Sequence, residues 1–165
     1  MYNDVLGHPN YFLSYANASF TNADDLKSIT SYVFMMAGGA ITWFSKKQTM
    51  TTMSTTEAEY IALSEVVCKA CWLRNLFSEL GFVQTLPTMI QGDNEGSIVI
   101  LKNPQFHKRS KHVDLQYHSI REQVQRGEIN IKSCRTNNQT TDMLTKPLAR
   151  AKHWQHTARM GLVLA

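Results

Sequence analysis

Three carboxylates stand where an α/β chain presents chemistry: Glu59, Asp93 and Asp142. Glu59 lies near the start of a helical pattern. Ser54 and Glu57, three positions apart, form a capping box, so Glu57 has a structural task. Glu59 is about 200° around the helix from Glu57. It heads the apolar stripe, four residues before Leu63 and seven before Val66. A carboxylate turned inward there costs on the order of several kcal/mol unless it is paired or binds a cation. The plainer alternative is a frayed helix end with Glu59 in water. Asp93 closes a strand pattern just before Asn94 opens a helix, and the carboxyl ends of strands are where such sheets receive ligands. An Asp-Asn pair at that point is also an ordinary turn and cap. Asp142 follows the polar run 136–141 at the start of the last helix, where a helix dipole alone would favour it. If the three converge, they form a hard-oxygen site suited to Mg²⁺, and two such ions clamping a phosphodiester is a recurring nuclease arrangement.

The elements that must position these groups follow from periodicity. Residues 11–18 read as a strand, with Leu13, Tyr15 and Asn17 on one face. Residues 31–36 and 40–45 are two more strands, joined by Ala37-Gly38-Gly39 as a tight hairpin. From 55 to 80 the period is helical, with Leu63, Val66, Ala70, Leu73, Phe77 and Leu80 as one apolar stripe and Gly81 as the stop. A strand over 88–93, helices over 95–101 and 113–125, and a strand over 128–135 follow. The remainder is helical with a break at Pro147. Residues 1–10 read as a lead-in and 11–165 as one domain. The order implies a mixed sheet covered by helices.

With 165 residues, 43% of them hydrophobic and 18% charged, the chain has the balance of a globular domain that needs no metal or disulfide staple. Any metal therefore serves chemistry. The net charge of +4 is clustered. Residues 102–126 carry Lys102, Lys108, Arg109, Lys111, Arg121 and Arg126 against Asp114 and Glu122. Residues 146–159 carry Lys146, Arg150, Lys152 and Arg159 with no acid. Clusters of this kind suit nucleic acid or are solvated faces. The three cysteines argue against a disulfide scaffold, and Cys68 and Cys71 read as core filling on a helix rather than a redox or zinc pair. No apolar run reaches the roughly 20 residues of a membrane span, and the start lacks the pattern of a signal peptide, so an intracellular protein without membrane contact is expected.

Several segments, in this order, resemble copia-type retrotransposon ribonuclease H domains. They are residues 32–34 (Tyr-Val-Phe), 38–43 (Gly-Gly-Ala-Ile-Thr-Trp), 54–63 (Ser-Thr-Thr-Glu-Ala-Glu-Tyr-Ile-Ala-Leu), 92–94 (Gly-Asp-Asn), 107–114 (His-Lys-Arg-Ser-Lys-His-Val-Asp), 118–121 (His-Ser-Ile-Arg) and 141–147 (Thr-Asp-Met-Leu-Thr-Lys-Pro). The resemblance runs from about residue 11 to 162. It implies a ribonuclease H-like fold, a five-stranded mixed sheet flanked by helices. It implies an endonuclease that cuts the RNA strand of RNA–DNA hybrids with two Mg²⁺ ions, Mn²⁺ substituting. Metal ligands are implied at Glu59, Asp93 and Asp142, and substrate contacts at Asn94, Lys46, Lys111, His112, Ser19 and Thr56. A reverse transcriptase domain upstream in the same polyprotein is implied as partner, and a cytoplasmic virus-like particle as the location if the element is active.

The departure is Asn17, where the family carries an aspartate that bridges both ions. Asparagine keeps the shape and one carbonyl oxygen, but its nitrogen is a donor and cannot bind a cation. Asp24 and Asp25 do not replace it, because they lie in a loop where the family also carries acids. Three origins compete: an engineered trap for substrate, natural decay, and a domesticated copy kept for binding. The readings Lys-Ser-Ile-Thr-Ser at 27–31 and Gln-Gly at 91–92 depart from the family pattern too, and favour natural divergence. Two functions therefore stand side by side: a metal-dependent hybrid nuclease impaired at Asn17, and a non-catalytic hybrid-binding module.

Overall fold

In a computed structural model, residues 11–19, 27–52, 54–93 and 111–162 are described, with the backbone alone over 111–117. Five strands form one sheet: β1 (Leu13–Ser19), β2 (Ile29–Met36), β3 (Gly39–Lys47), β4 (Thr88–Gly92) and β5 (Ile129–Ser133). The helices are α1 (Thr55–Glu79), α2 (Lys111–Gln125), α3 (Asp142–Thr145) and α4 (Arg150–Arg159), with a 3₁₀ turn at Thr136–Asn138. The strand order is β3-β2-β1-β4-β5. The first three strands pair antiparallel, while β4 and β5 add parallel, which is the mixed sheet expected from the element order.

Local chemistry explains the boundaries. The hairpin between β2 and β3 turns on Ala37 and Gly38, both at positive φ (51° and 82°), as a two-residue turn of matching twist requires. β3 is an edge strand and alternates exposure over its first part, whereas β2 is buried over most of its length. The Ser54 hydroxyl accepts the Glu57 N–H at 3.1 Å and starts α1. Gly81, at φ 85°, ends it, with the Phe82 N–H returning to the Phe77 carbonyl.

The main core lies between α1 and the sheet. Leu63, Val66, Val67, Ala70 and Leu73 bury against Phe12, Ala16, Phe34 and Ile90, with Ile120 of α2 and Ile129 and Ile131 of β5 closing the far side. Each fully buried large side chain contributes about 1.5–3 kcal/mol. A smaller layer on the opposite face joins Val33 and Met35 to Met160, with Leu13, Tyr15 and Met143 packed beside them. The Ala40 N–H donates to the Met160 carbonyl at 3.0 Å and ties the end of α4 to the hairpin.

Four expectations are corrected. Leu80 is exposed, because α1 ends at Glu79 and Gly81 turns the chain away from the core. Cys68 faces solvent, and only Cys71 of the pair packs against the core. Asp142 does not open the last helix. It opens the four-residue α3, Lys146 leaves the helical region before Pro147, and α4 begins afresh at Arg150. The strand placed over 128–135 is shorter, Ile129–Ser133. The helix placed over 95–101, the loop acids Asp24 and Asp25, and the basic residues 102–109 lie outside the described residues.

Candidate active site at the carboxyl ends of the central strands

β1 occupies the middle of the sheet, and β4 runs parallel to it, with Tyr15 beside Gln91. The carboxyl ends of both strands therefore reach the same edge, carrying Asn17 on β1 and Asp93 one residue past β4. α1 is fastened to this edge from the other side. The buried Gln48 amide donates to the Ala58 carbonyl at 2.9 Å and to the Thr30 hydroxyl at 3.0 Å. Glu59, one residue further on, is thereby brought to the end of β1, where it accepts the Ala18 backbone N–H.

Asp142 arrives by a longer route. Beyond β5 the Cys134 N–H still pairs with the Gly92 carbonyl at 2.8 Å, and the chain then crosses back over the sheet end. The fully buried Gln139 side chain donates to the Ala16 carbonyl, fixing the crossing on β1. The Ser45 hydroxyl donates to the Leu144 carbonyl at 2.6 Å and holds α3 over β3. Asp142 ends wholly buried beside Asn17.

Contacts within this cluster are specific. The Asn17 amide Nδ2 donates to Asp142 Oδ1 at 2.8 Å. The Lys146 ammonium stands 2.9 Å from the same oxygen, and Lys152 is 3.9 Å from Oδ2. Oδ2 itself receives no hydrogen bond. Burial pushes the Glu59 carboxyl up to about 8. The Ala18 N–H opposes the rise, Asp93 and Asp142 add to it, and Lys146 counters them. Asp93 is also raised, by burial first and then by Asp142, against its own backbone N–H and Lys146. Glu59 thus feels the charge of both aspartates, and Asp93 that of Asp142. Among the described residues, however, no three His, Cys, Asp or Glu side chains stand close enough together to hold a metal ion.

The remaining expected residues divide. Ser19 and Thr56 are half-buried at the end of β1 and the start of α1. Lys46 is exposed on β3 and its charge acts on Glu65, away from the carboxylates. Asn94 and the side chains of Lys111 and His112 lie outside the described residues. Residues not singled out from sequence also belong here. Lys146 was visible only as one of several basic residues, although its i+4 spacing from Asp142 was a usable signal. Cys134 sits near enough for its thiol to be pushed up to about 11, by burial and then by Asp93 and Asp142. An open cleft of about 630 Å³, lined by Asp93, Ser133, Cys134, Arg135, Thr136 and Asn137, leads up to the cluster.

No family model matches the chain. Over 151 residues, 91% of its length, it is 36% identical to the Pol polyprotein from transposon RE2 of Arabidopsis thaliana. Over 129 residues, 78% of its length, it is 42% identical to the Pol polyprotein from transposon TNT 1-94 of Nicotiana tabacum. It spans about a tenth of the length of these curated relatives. Among solved structures, LC11-RNase H1 in complex with an RNA/DNA hybrid superposes with a TM-score of 0.57 at 12% identity, over 81% of this chain and 92% of that one. The foamy viral protease-reverse transcriptase in complex with an RNA/DNA hybrid gives 0.56 at 13% identity, over 92% of this chain and 21% of that one. At such identities the likeness is one of fold.

Proposed function

Because this chain belongs to the copia-type retrotransposon Pol polyproteins as their ribonuclease H domain, we propose that it engages RNA–DNA hybrids and hydrolyses their RNA strand at the Glu59–Asp93–Asp142 edge, weakly because of Asn17. The observation that carries this reading is the convergence of three carboxylates from separate elements at the end of β1 and β4, close enough that Asp93 and Asp142 raise Glu59 and that Asp142 raises Asp93.

The donor set fits a hard divalent cation in kind. Glu59, Asp93 and the unbonded Oδ2 of Asp142 are oxygen donors of the sort Mg²⁺ or Mn²⁺ takes. It does not fit a second ion sharing the β1 position, since Asn17 turns an N–H toward Asp142. A bound divalent cation supplies charge to the phosphoryl oxygen and acidity to the attacking water. The chain's own residues do the rest. Glu59, oriented by the Ala18 N–H, would present its carboxylate to that ion from the start of α1. Arg135 in the open cleft and Lys152 and Arg150 on α4 supply positive charge for phosphates on either side. A ribose 2′-hydroxyl marks the strand to be cut. A reverse transcriptase domain of the same polyprotein is the natural neighbour, and a cytoplasmic particle the natural place.

The second reading, a hybrid-binding module without hydrolysis, is favoured by the same Asn17–Asp142 hydrogen bond, which closes the site with a neutral donor. A labelled RNA–DNA hybrid incubated with Mg²⁺ or Mn²⁺ separates the two. Asn17→Asp is expected to raise cleavage by about a hundredfold or more, since even supporting residues of metal sites are worth 10–100-fold. If neither form cuts while both bind with strong salt dependence, the binding module stands; if neither binds, both readings fall.

A further inference from the structure

Asp142 is the one carboxylate of the cluster with no solvent exposure at all, yet two cations and an amide reach it. The arrangement around it is built rather than incidental. Lys146 follows the four-residue α3 that Asp142 opens, so its ammonium returns to the first residue of that helix. Pro147 holds Lys146 extended (φ −149°, ψ 151°), and the Lys146 N–H closes on the Asp142 carbonyl at 3.1 Å, so the backbone carrying the ammonium is pinned to the residue it neutralises. Asn17 completes the set from β1, at 2.8 Å on the same oxygen, a contact that an aspartate at 17 would replace with repulsion. The Lys146 side chain remains 44% exposed, so its ammonium can swing into water without disturbing the packing.

We infer that Lys146, with the Asn17 amide beside it, is the resident counter-cation of Asp142, so that this edge of the fold closes without metal and a divalent cation arriving at the unbonded Oδ2 competes with the Lys146 ammonium for the charge of the same carboxylate. A buried carboxylate that loses a partner destabilises the fold, to a smaller extent here because Asn17 and Lys152 stay beside it and Lys146 is partly in water. The pair therefore substitutes for the cation in the metal-free protein and competes with it when it binds. Lys146 is a positioning residue in this scheme: it touches Asp142, not substrate. The inference rests on reading these carboxylates as the metal-binding edge, and not on whether the protein cuts hybrid.

The test is metal binding and melting of the full chain, without nucleic acid. Lys146→Met keeps the length and removes the charge; Lys146→Arg restores a cation. In EDTA the parent protein is expected to melt as it does in millimolar Mg²⁺. Lys146→Met is expected to melt about 2–4 °C lower in EDTA and to recover in Mg²⁺. It should also bind Mn²⁺, read by the electron paramagnetic resonance of the free ion, roughly three- to tenfold more tightly. Lys146→Arg should behave as the parent. An unchanged melting point in EDTA with unchanged or weaker Mn²⁺ binding overturns the inference. Should Lys146→Met fail to fold, Asn17→Asp carries the test. It should melt lower in EDTA and gain more from Mn²⁺ than the parent, and equal behaviour of the two overturns the inference. Proteins that bind Mn²⁺ as expected but never cut hybrid count against hydrolysis and leave the counterion role standing.

Discussion

β1 and α1 build two regions that obey different rules. Toward their middles they meet through Phe12, Ala16, Leu63 and Val66, an apolar layer in which every contact is interchangeable with another of similar volume. One residue beyond Ala16 on β1, and one turn before Leu63 on α1, the same elements meet through Asn17, Ala18 and Glu59. There the contacts are specific: the Asn17 amide and the Lys146 ammonium meet one oxygen of Asp142, and the Ala18 N–H meets Glu59. The apolar layer sums areas removed from water, so its strength is spread over many residues. The polar layer balances desolvation against a few partners, so single atoms decide it.

That contrast can be broken in three ways. The largest effect expected is from Leu63→Ala, a fully buried side chain facing β1 and Gly92. It should cost about 2–5 kcal/mol in urea unfolding. A loss below about 1 kcal/mol would mean that the layer collapses around the gap and is less close-packed than its burial indicates.

Next is the pH response of the metal-free protein. Glu59 binds its proton up to about 8 in the folded state, whereas the unfolded chain releases it near 4.5. The folded form therefore holds more protons across that window, and stability falls as pH rises through it. Asp93, also raised, has the same sign. His156, buried and lowered by burial and by Arg159 and Lys152, has the opposite one: its contribution is lost as pH falls through its unfolded value of 6.5. Unfolding in EDTA should accordingly show stability declining between the unfolded His156 value of 6.5, below which His156 opposes the trend, and about pH 8. Glu59→Gln should flatten that decline, by an amount on the order of 1–2 kcal/mol. A slope that survives Glu59→Gln would place the titrating group elsewhere.

The smallest effect should come from Arg126→Ala, which removes the exposed ion pair between Glu122 and the residue that follows α2. Thermal unfolding should change by no more than about 0.5 kcal/mol. A larger loss would show that charge matters on this protein even where water screens it, and the distinction between the two regions would lose its basis.

Much of this was legible along the chain. The strand pattern over 11–18, the glycine-bearing hairpin, the Ser54 cap, the stripe from Leu63 to Leu73 and the stop at Gly81 are local signals, each spanning a few residues of backbone geometry or one face of one element. Glu59 was legible for the same reason, since an acid on the apolar stripe must be paired or desolvated. The short α3 was not, because a four-residue helix ended by Pro147 has too little period to stand out from the run that follows it.

The order of the elements and the motifs along them determined the family, the mixed sheet and the set of acids at its edge. Tertiary structure alone decided that Asn17 would donate to Asp142 across 125 residues of sequence, that Gln139 would anchor the crossing on Ala16, and that Lys146 would fold back to neutralise a buried oxygen. Periodicity reports which side of an element faces inward. It carries no information about which buried atom of a distant element waits there, and in a site without solvent that pairing sets charge, proton affinity and the room left for a metal.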